Sequence, residues 1–139
     1  MPYKVIGLLI GCIIFSSMSS ADEKCHETGL SFDSNTPEAD GLIFKDEDHQ
    51  WLPRASDFEL LNYHLMSNAC GERWALVTIK NLSPGTSSFS GENIIALMAD
   101  GSKTRGNVEK RIEGRATESF TIRFGISKVP IIKLYVKRK

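Results

Sequence analysis

The chain has 139 residues, 41% hydrophobic and 24% charged, with seventeen basic side chains against seventeen acidic ones. That length suits one domain with a single core, and the composition excludes both intrinsic disorder and a polytopic membrane protein. The balance of charge excludes a general nucleic-acid binder, which would carry a basic excess.

The first residues read as an export signal, residues 1–21. Lys4 supplies the positive charge, Val5 to Phe15 form an apolar run, and Ser19 and Ala21 fit the small-residue requirement of a cleavage site, with acidic Asp22 and Glu23 beyond. As a helix the apolar run rises only about 16 Å, short of a hydrocarbon core of roughly 30 Å. The expectation is therefore a periplasmic or secreted protein with no integral membrane span once the signal is removed. A lipoprotein is the alternative, because Leu9-Ile10-Gly11-Cys12 has the form of a lipobox. Against it, Ile13-Ile14-Phe15 continue the apolar run where a lipoprotein turns polar. Cleavage after Ala21 leaves two cysteines, Cys25 and Cys70, and an even count in an exported chain reads as a disulfide. Closing that loop would contribute about 4 kcal/mol by the chain-entropy estimate. A metal site built on Cys25, His26 and Cys70 lacks the paired spacing of zinc ligands.

Residues 22–57 form an irregular acidic segment expected to pack on the domain that follows. Turn formers recur in it (Ser34-Asn35-Thr36-Pro37, Ala39-Asp40-Gly41), while Leu30 with Phe32 and Leu42 with Phe44 alternate as short strands do. Trp51-Leu52-Pro53 offers an apolar anchor. From Phe58 the pattern sharpens. Leu61, Tyr63 and Leu65 keep a period of two, and turn chemistry follows at Ser67 to Gly71. Along Arg73 to Leu82, Ala75, Val77 and Ile79 are expected to face the core, with Trp74, Leu76 and Thr78 on the other side, until Asn81 and Pro84-Gly85 stop the strand. Asn93 to Ala99 has strand length and closes on the Asp100-Gly101 turn. Ser102 to Thr117 reads as a charged hairpin broken by Gly106 and Gly114. Phe120, Ile122 and Phe124, then Ile132, Leu134 and Val136, alternate with polar neighbours as half-buried strands. The expected fold is all-β, an antiparallel β-sandwich over residues 58–139.

The run Trp74 to Ser83, then Ile94 to Gly101, then Phe120 to Phe124, resembles exported bacterial immunoglobulin-like domains over about residues 58–136. In that group one strand ends in Asn plus a small residue, the next in Asp-Gly, and a later one in Arg-Phe or Val-Phe. The resemblance implies an immunoglobulin-like sandwich and an accessory or binding role, and it carries over no catalytic residue.

Motifs for chemistry are sparse. There is no G-x-S-x-G and no phosphate-cradling glycine loop, and Asp33-Ser34-Asn35 starts like a calcium loop that Pro37 and Glu38 then break. Asp46-Glu47-Asp48-His49 is the densest group of potential ligands but reads as a solvated loop. No cofactor is expected. Charge is more informative. Residues 22–60 hold eleven acids against three bases, and residues 61–139 hold six acids against thirteen bases. Lys103, Arg105, Lys110, Arg111 and Arg115 crowd the expected hairpin, and together with Trp51 they are the candidate partner-binding residues. Glu109 and Glu113 dilute the group and no aromatics interleave it, so an acidic protein or anionic surface fits better than nucleic acid. The sequence thus points to a small exported non-enzymatic binding or accessory protein of the bacterial cell envelope. An inhibitor or immunity-type protein blocking an envelope or secreted enzyme through the 46–54 loop is the alternative, and a hydrolase using His49 or His64 is a third.

Overall fold

A computed structural model describes residues 29–34 and 52–139 of the chain. Nine strands make up the described fold: β1 (Ser31–Phe32), β2 (Phe58–Ser67), β3 (Glu72–Asn81), β4 (Ser87–Ser90), β5 (Ile94–Met98), β6 (Lys103–Arg105), β7 (Glu109–Ile112), β8 (Thr117–Ile126) and β9 (Ile131–Val136). A single 3-10 turn, Gly91–Asn93, links β4 to β5 and is capped by Ser90, whose backbone N–H donates to the Asn93 side chain at 2.8 Å. The strands pair antiparallel throughout, in a four-stranded sheet β1-β2-β3-β8, a three-stranded sheet β6-β5-β9 and a pair β4-β7. The sheets share one apolar core, so the fold is an all-β, sandwich-like arrangement.

Alternation places the core as the sequence leads one to expect in the central strands. Ala75, Val77 and Ile79 are fully buried, as are Ile122 and Ile94, while Trp74, Leu76 and Thr78 stand on the other face of β3. Phe58 packs edge-on to Phe89 at 5.1 Å, and Phe89 to Phe120 at 5.8 Å, which stitches β2, β4 and β8 through aromatic contacts. Gly106 is packed against side chains of both layers. A Cβ there would stand 2.6 Å from Ile122 Cγ2 and 3.1 Å from Ile94 Cγ2, so only glycine lets the chain pass between the layers.

Three expectations need correction. Leu61 does not share the inner face of Tyr63 and Leu65. A bulge between Leu60 and Asn62 adds one residue to β2, and Leu61 is turned out and 50% exposed. In β9 the core face is Ile131, Leu134 and Val136 instead of Ile132, Leu134 and Val136, because a bulge sets Ile131 opposite Met98 and leaves Ile132 unpaired. The Ser102–Thr117 segment is not a hairpin. β6 pairs with β5, β7 pairs with β4, and between them Asn107 bridges to Arg123, so one strand changes partners along its length.

Residues before Phe58 are joined to this fold by backbone hydrogen bonds. Asp33 N–H donates to the Leu65 carbonyl at 2.9 Å, Arg54 N–H to that of Glu92 at 2.7 Å, and Ser56 N–H to that of Lys137 at 3.0 Å. The expected signal, the Leu42–Phe44 strand, Cys12, Cys25, His26, His49 and Trp51 lie outside the described residues.

Candidate interaction surface

The five basic residues expected to crowd one hairpin are dispersed by the partner change at Gly106. On β7, Lys110 is the register partner of Phe89 and therefore points toward the layer between the sheets. Its ammonium escapes at the edge, 3.0 Å from Glu118 Oε2 and 5.3 Å above the Phe120 ring, so part of its charge is neutralised at home. Arg115 follows Gly114, whose missing side chain lets the turn press against the Pro84 carbonyl, and it adopts a left-handed φ of 63°. Its guanidinium donates to the Leu82 carbonyl and its own N–H to that of Ser83 at 3.0 Å. Both residues are thus occupied by the fold.

Lys103, Arg105 and Arg111 face outward. Register partners in an antiparallel pair project to the same side. Lys103, Leu97 and Lys133 therefore form one row across the three-stranded sheet, and Arg105, Ile95 and Tyr135 the next. Lys133 Nζ stands 5.4 Å from the Tyr135 ring, and neither Lys103 nor Lys133 is a free cation. Arg105 and Arg111 are both exposed, and among the described residues neither has an acidic partner. Glu109 shares the outward side of β7 with Arg111.

A second surface lies on the outer face of the four-stranded sheet, and no motif announces it. Phe32, Met66, Trp74 and Arg123 form one row across β1, β2, β3 and β8. Phe32 is 63% exposed and meets the His64 ring edge-on at 5.9 Å. Arg123 donates to Glu72 at 3.0 Å, while its Nε and the Trp74 Nε1 are buried without a hydrogen-bond partner. Alternation marks Phe32 as a strand residue and places Leu61 inward, but it reports neither the row that Phe32 joins nor the bulge that turns Leu61 out.

The remaining candidates are quickly placed. Cys70 sits in the β2–β3 turn, its N–H donating to Asn68 Oδ1 at 3.1 Å. Of the 46–54 loop, the described part runs from Leu52, and Arg54 pairs with Glu92 at 3.2 Å. The Asp100–Gly101 turn is closed by Ser102, whose hydroxyl (2.6 Å) and N–H (3.0 Å) both donate to Asp100 Oδ1 and hold that carboxyl below its ordinary pKa. Among the described residues no group of three or more His, Cys, Asp or Glu is placed to hold a metal ion, and no helix is long and apolar enough to cross a membrane. Comparison with known protein families, with curated proteins and with solved structures gives no match to this chain.

Proposed function

We propose that this chain is a small exported, non-enzymatic binding protein of the bacterial cell envelope, an immunoglobulin-like sandwich that presents outward basic side chains of β6 and β7 to an acidic protein partner. The observation that carries the reading is a contrast among the basic residues of β6, β7 and the turn that follows. Lys110 and Arg115 are occupied within the fold, whereas Arg105 and Arg111 are exposed on its outer side with no acid to satisfy them among the described residues. Exposed guanidinium groups of this kind steer and orient acidic partners more than they stabilise a fold. The immunoglobulin-like reading is supported by antiparallel layers around one core and by the chain order of β3 ending at Asn81, β5 before Asp100-Gly101, and β8 through Phe124. Export is supported by the leader-like residues 1–21, and a Cys25–Cys70 disulfide by the cysteine count it leaves.

The test is cross-linking of the full chain in envelope preparations, at low and at high salt, with Arg105→Glu/Arg111→Glu alongside the wild type. A partner captured by the wild type at low salt and lost both in high salt and in the double variant supports the reading. Equal capture by the two proteins overturns it. Capture lost instead on Trp51→Ala, with the arginines dispensable, would move the conclusion to the inhibitor-type protein acting through the 46–54 loop.

A further inference from the structure

Beyond the two-residue β1, the four-stranded sheet ends on β2 at one side and on β8 at the other, and the two edges are finished differently. Hydrogen bonds in an antiparallel pair alternate, so every second residue turns both its N–H and its C=O away from the neighbouring strand. On β2 those outward groups are engaged. The Leu65 carbonyl accepts from Asp33 N–H at 2.9 Å, and Tyr63 N–H donates to Asn62 Oδ1 at 2.8 Å. The bulge at Leu61 interrupts the edge, and Ser56 bridges to Arg138 at its start. On β8 two bonds tell which groups point outward. The Ala116 carbonyl accepts from Asn81 N–H of β3, whereas the Arg123 carbonyl accepts from Asn107 N–H on the other side. Pairing with β3 runs without a bulge from Thr117 to Arg123, so Thr117, Ser119 and Thr121 turn N–H and C=O to the edge. All three residues are exposed, and among the described residues nothing bonds to those backbone groups. A regular edge without proline, bulge or cover is a template for another strand.

We infer that this edge pairs with the same edge of a second copy of the chain, antiparallel about a two-fold axis at Ser119. A two-fold contact requires a surface complementary to itself, and the β8 edge is one. With outward peptide groups at Thr117, Ser119 and Thr121, and with Arg123 taken by Asn107, the antiparallel register that satisfies all of them sets Ser119 opposite Ser119 and Thr117 opposite Thr121. The side chains agree. On the outer face only hydroxyls meet, and Ser119 Oγ already lies 2.8 Å from Thr78 Oγ1, so a row of hydroxyls would continue from one copy into the other. On the inner face Glu118 comes opposite Phe120 of the other copy. Lys110 lies 5.3 Å over that ring and 3.0 Å from its own Glu118, so each Glu118 is brought toward the Lys110 of the other copy and the charges match in both directions. The ends leave room. Position 115 would stand opposite Arg123 and its Asn107, but Arg115, at a φ of 63°, turns the chain away to Ser83, to whose carbonyl its N–H donates at 3.0 Å.

Sedimentation equilibrium of the purified full chain over a wide concentration range tests this. The wild type should form a dimer. Ser119→Lys sets two like charges across the axis, about 5.5 Å apart between Cα atoms, and should weaken the dimer at least about tenfold. Ser119→Glu should do the same, and an equimolar mixture of the two variants should dimerise again, because the mixed pair carries opposite charges. Ser119→Pro removes an N–H that β3 does not use, and should give a monomer that circular dichroism shows to be folded. If that variant does not fold, the mixture of charged variants, altered only at an exposed position, carries the test. A wild type that is monomeric throughout overturns the inference. So does a dimer indifferent to Ser119→Lys and Ser119→Pro, or one weakened by both charges without recovery in the mixture. None of these outcomes depends on the acidic-partner reading, whose test turns on Arg105 and Arg111.

Discussion

Among single residues, Asn81 has the largest structural role for its size. It is fully buried at the end of β3, and its Nδ2 donates to three carbonyls, those of Gly85 (3.0 Å), Ile112 (3.0 Å) and Glu113 (3.1 Å). Its Oδ1 accepts from Ser83 N–H at 2.9 Å. The side chain therefore joins the β3–β4 turn to the end of β7, two places separated in sequence, and an amide is needed because the site wants donors and an acceptor together. Asn81→Ala removes the partner of the buried Ile112 carbonyl and loosens the turn, and should lower unfolding stability by about 2 kcal/mol, read as a shift of the urea midpoint. Asn81→Asp should be at least as harmful, since a carboxylate would face the same carbonyls. A midpoint unchanged in both variants would show that the turn holds without this residue. In the sequence, Asn81 was legible as a strand terminator, but its reach to Ile112 and Glu113 was not, because no local pattern reports a contact over thirty positions.

At the level of elements, period-two alternation predicted the core correctly wherever the strands pair without interruption. β3 from Trp74 to Lys80 and the Thr117–Arg123 part of β8 are such cases, and their inward residues are the expected ones; Phe124, skipped in the pairing with β3, still faces the core. The errors fall where one residue is inserted: at Leu61 in β2 and at Ile132 in β9, each bulge reversing the parity on one side of it. A bulge is chosen by the partner strand and the twist of the sheet, neither of which is written in the strand's own sequence. The dispersal of the basic residues has the same origin. Their clustering in sequence was plain, but the change of partner at Gly106 depends on close approach to Ile94 and Ile122. Register within β8 gives a sharp comparison. Ile122→Asp would place an unpaired carboxylate at a fully buried position and should prevent folding, whereas Thr121→Asp, on the exposed side, should stay within about 0.5 kcal/mol of the wild type. Thermal unfolding of the soluble fractions checks both, and equal solubility and midpoints would refute the face assignment.

For the whole molecule, the question is how a sandwich built from short strands keeps its two layers in register. Part of the answer lies at the C-terminus, which runs beside the start of β2. Ser56 N–H donates to the Lys137 carbonyl and Lys139 N–H to the Ser56 carbonyl, both at 3.0 Å, forming a parallel bridge that ties β9 of one sheet to the entry of the other. Around it, Arg138 pairs with Glu59 at 3.2 Å and Lys139 with Asp57 at 3.4 Å. These ion pairs are the conspicuous feature, and the acid-rich entry to β2 against the Lys137-Arg138-Lys139 end is an instance of the charge division visible in the sequence. Yet both cations are well over half exposed, and such pairs contribute only about 0–1 kcal/mol each. The backbone bonds should matter more, because Ser56 is buried and loses both its partners when the tail is removed. Arg138→Ala/Lys139→Ala should therefore cost under about 1 kcal/mol and fade in high salt, whereas deletion of Lys137 to Lys139 should cost roughly 2 kcal/mol and be indifferent to salt. Chemical unfolding at two ionic strengths separates the terms. If the double variant matched the deletion, electrostatics would be the clasp between the layers, and the same acidic and basic surfaces that hold the fold would then compete with any acidic partner for it.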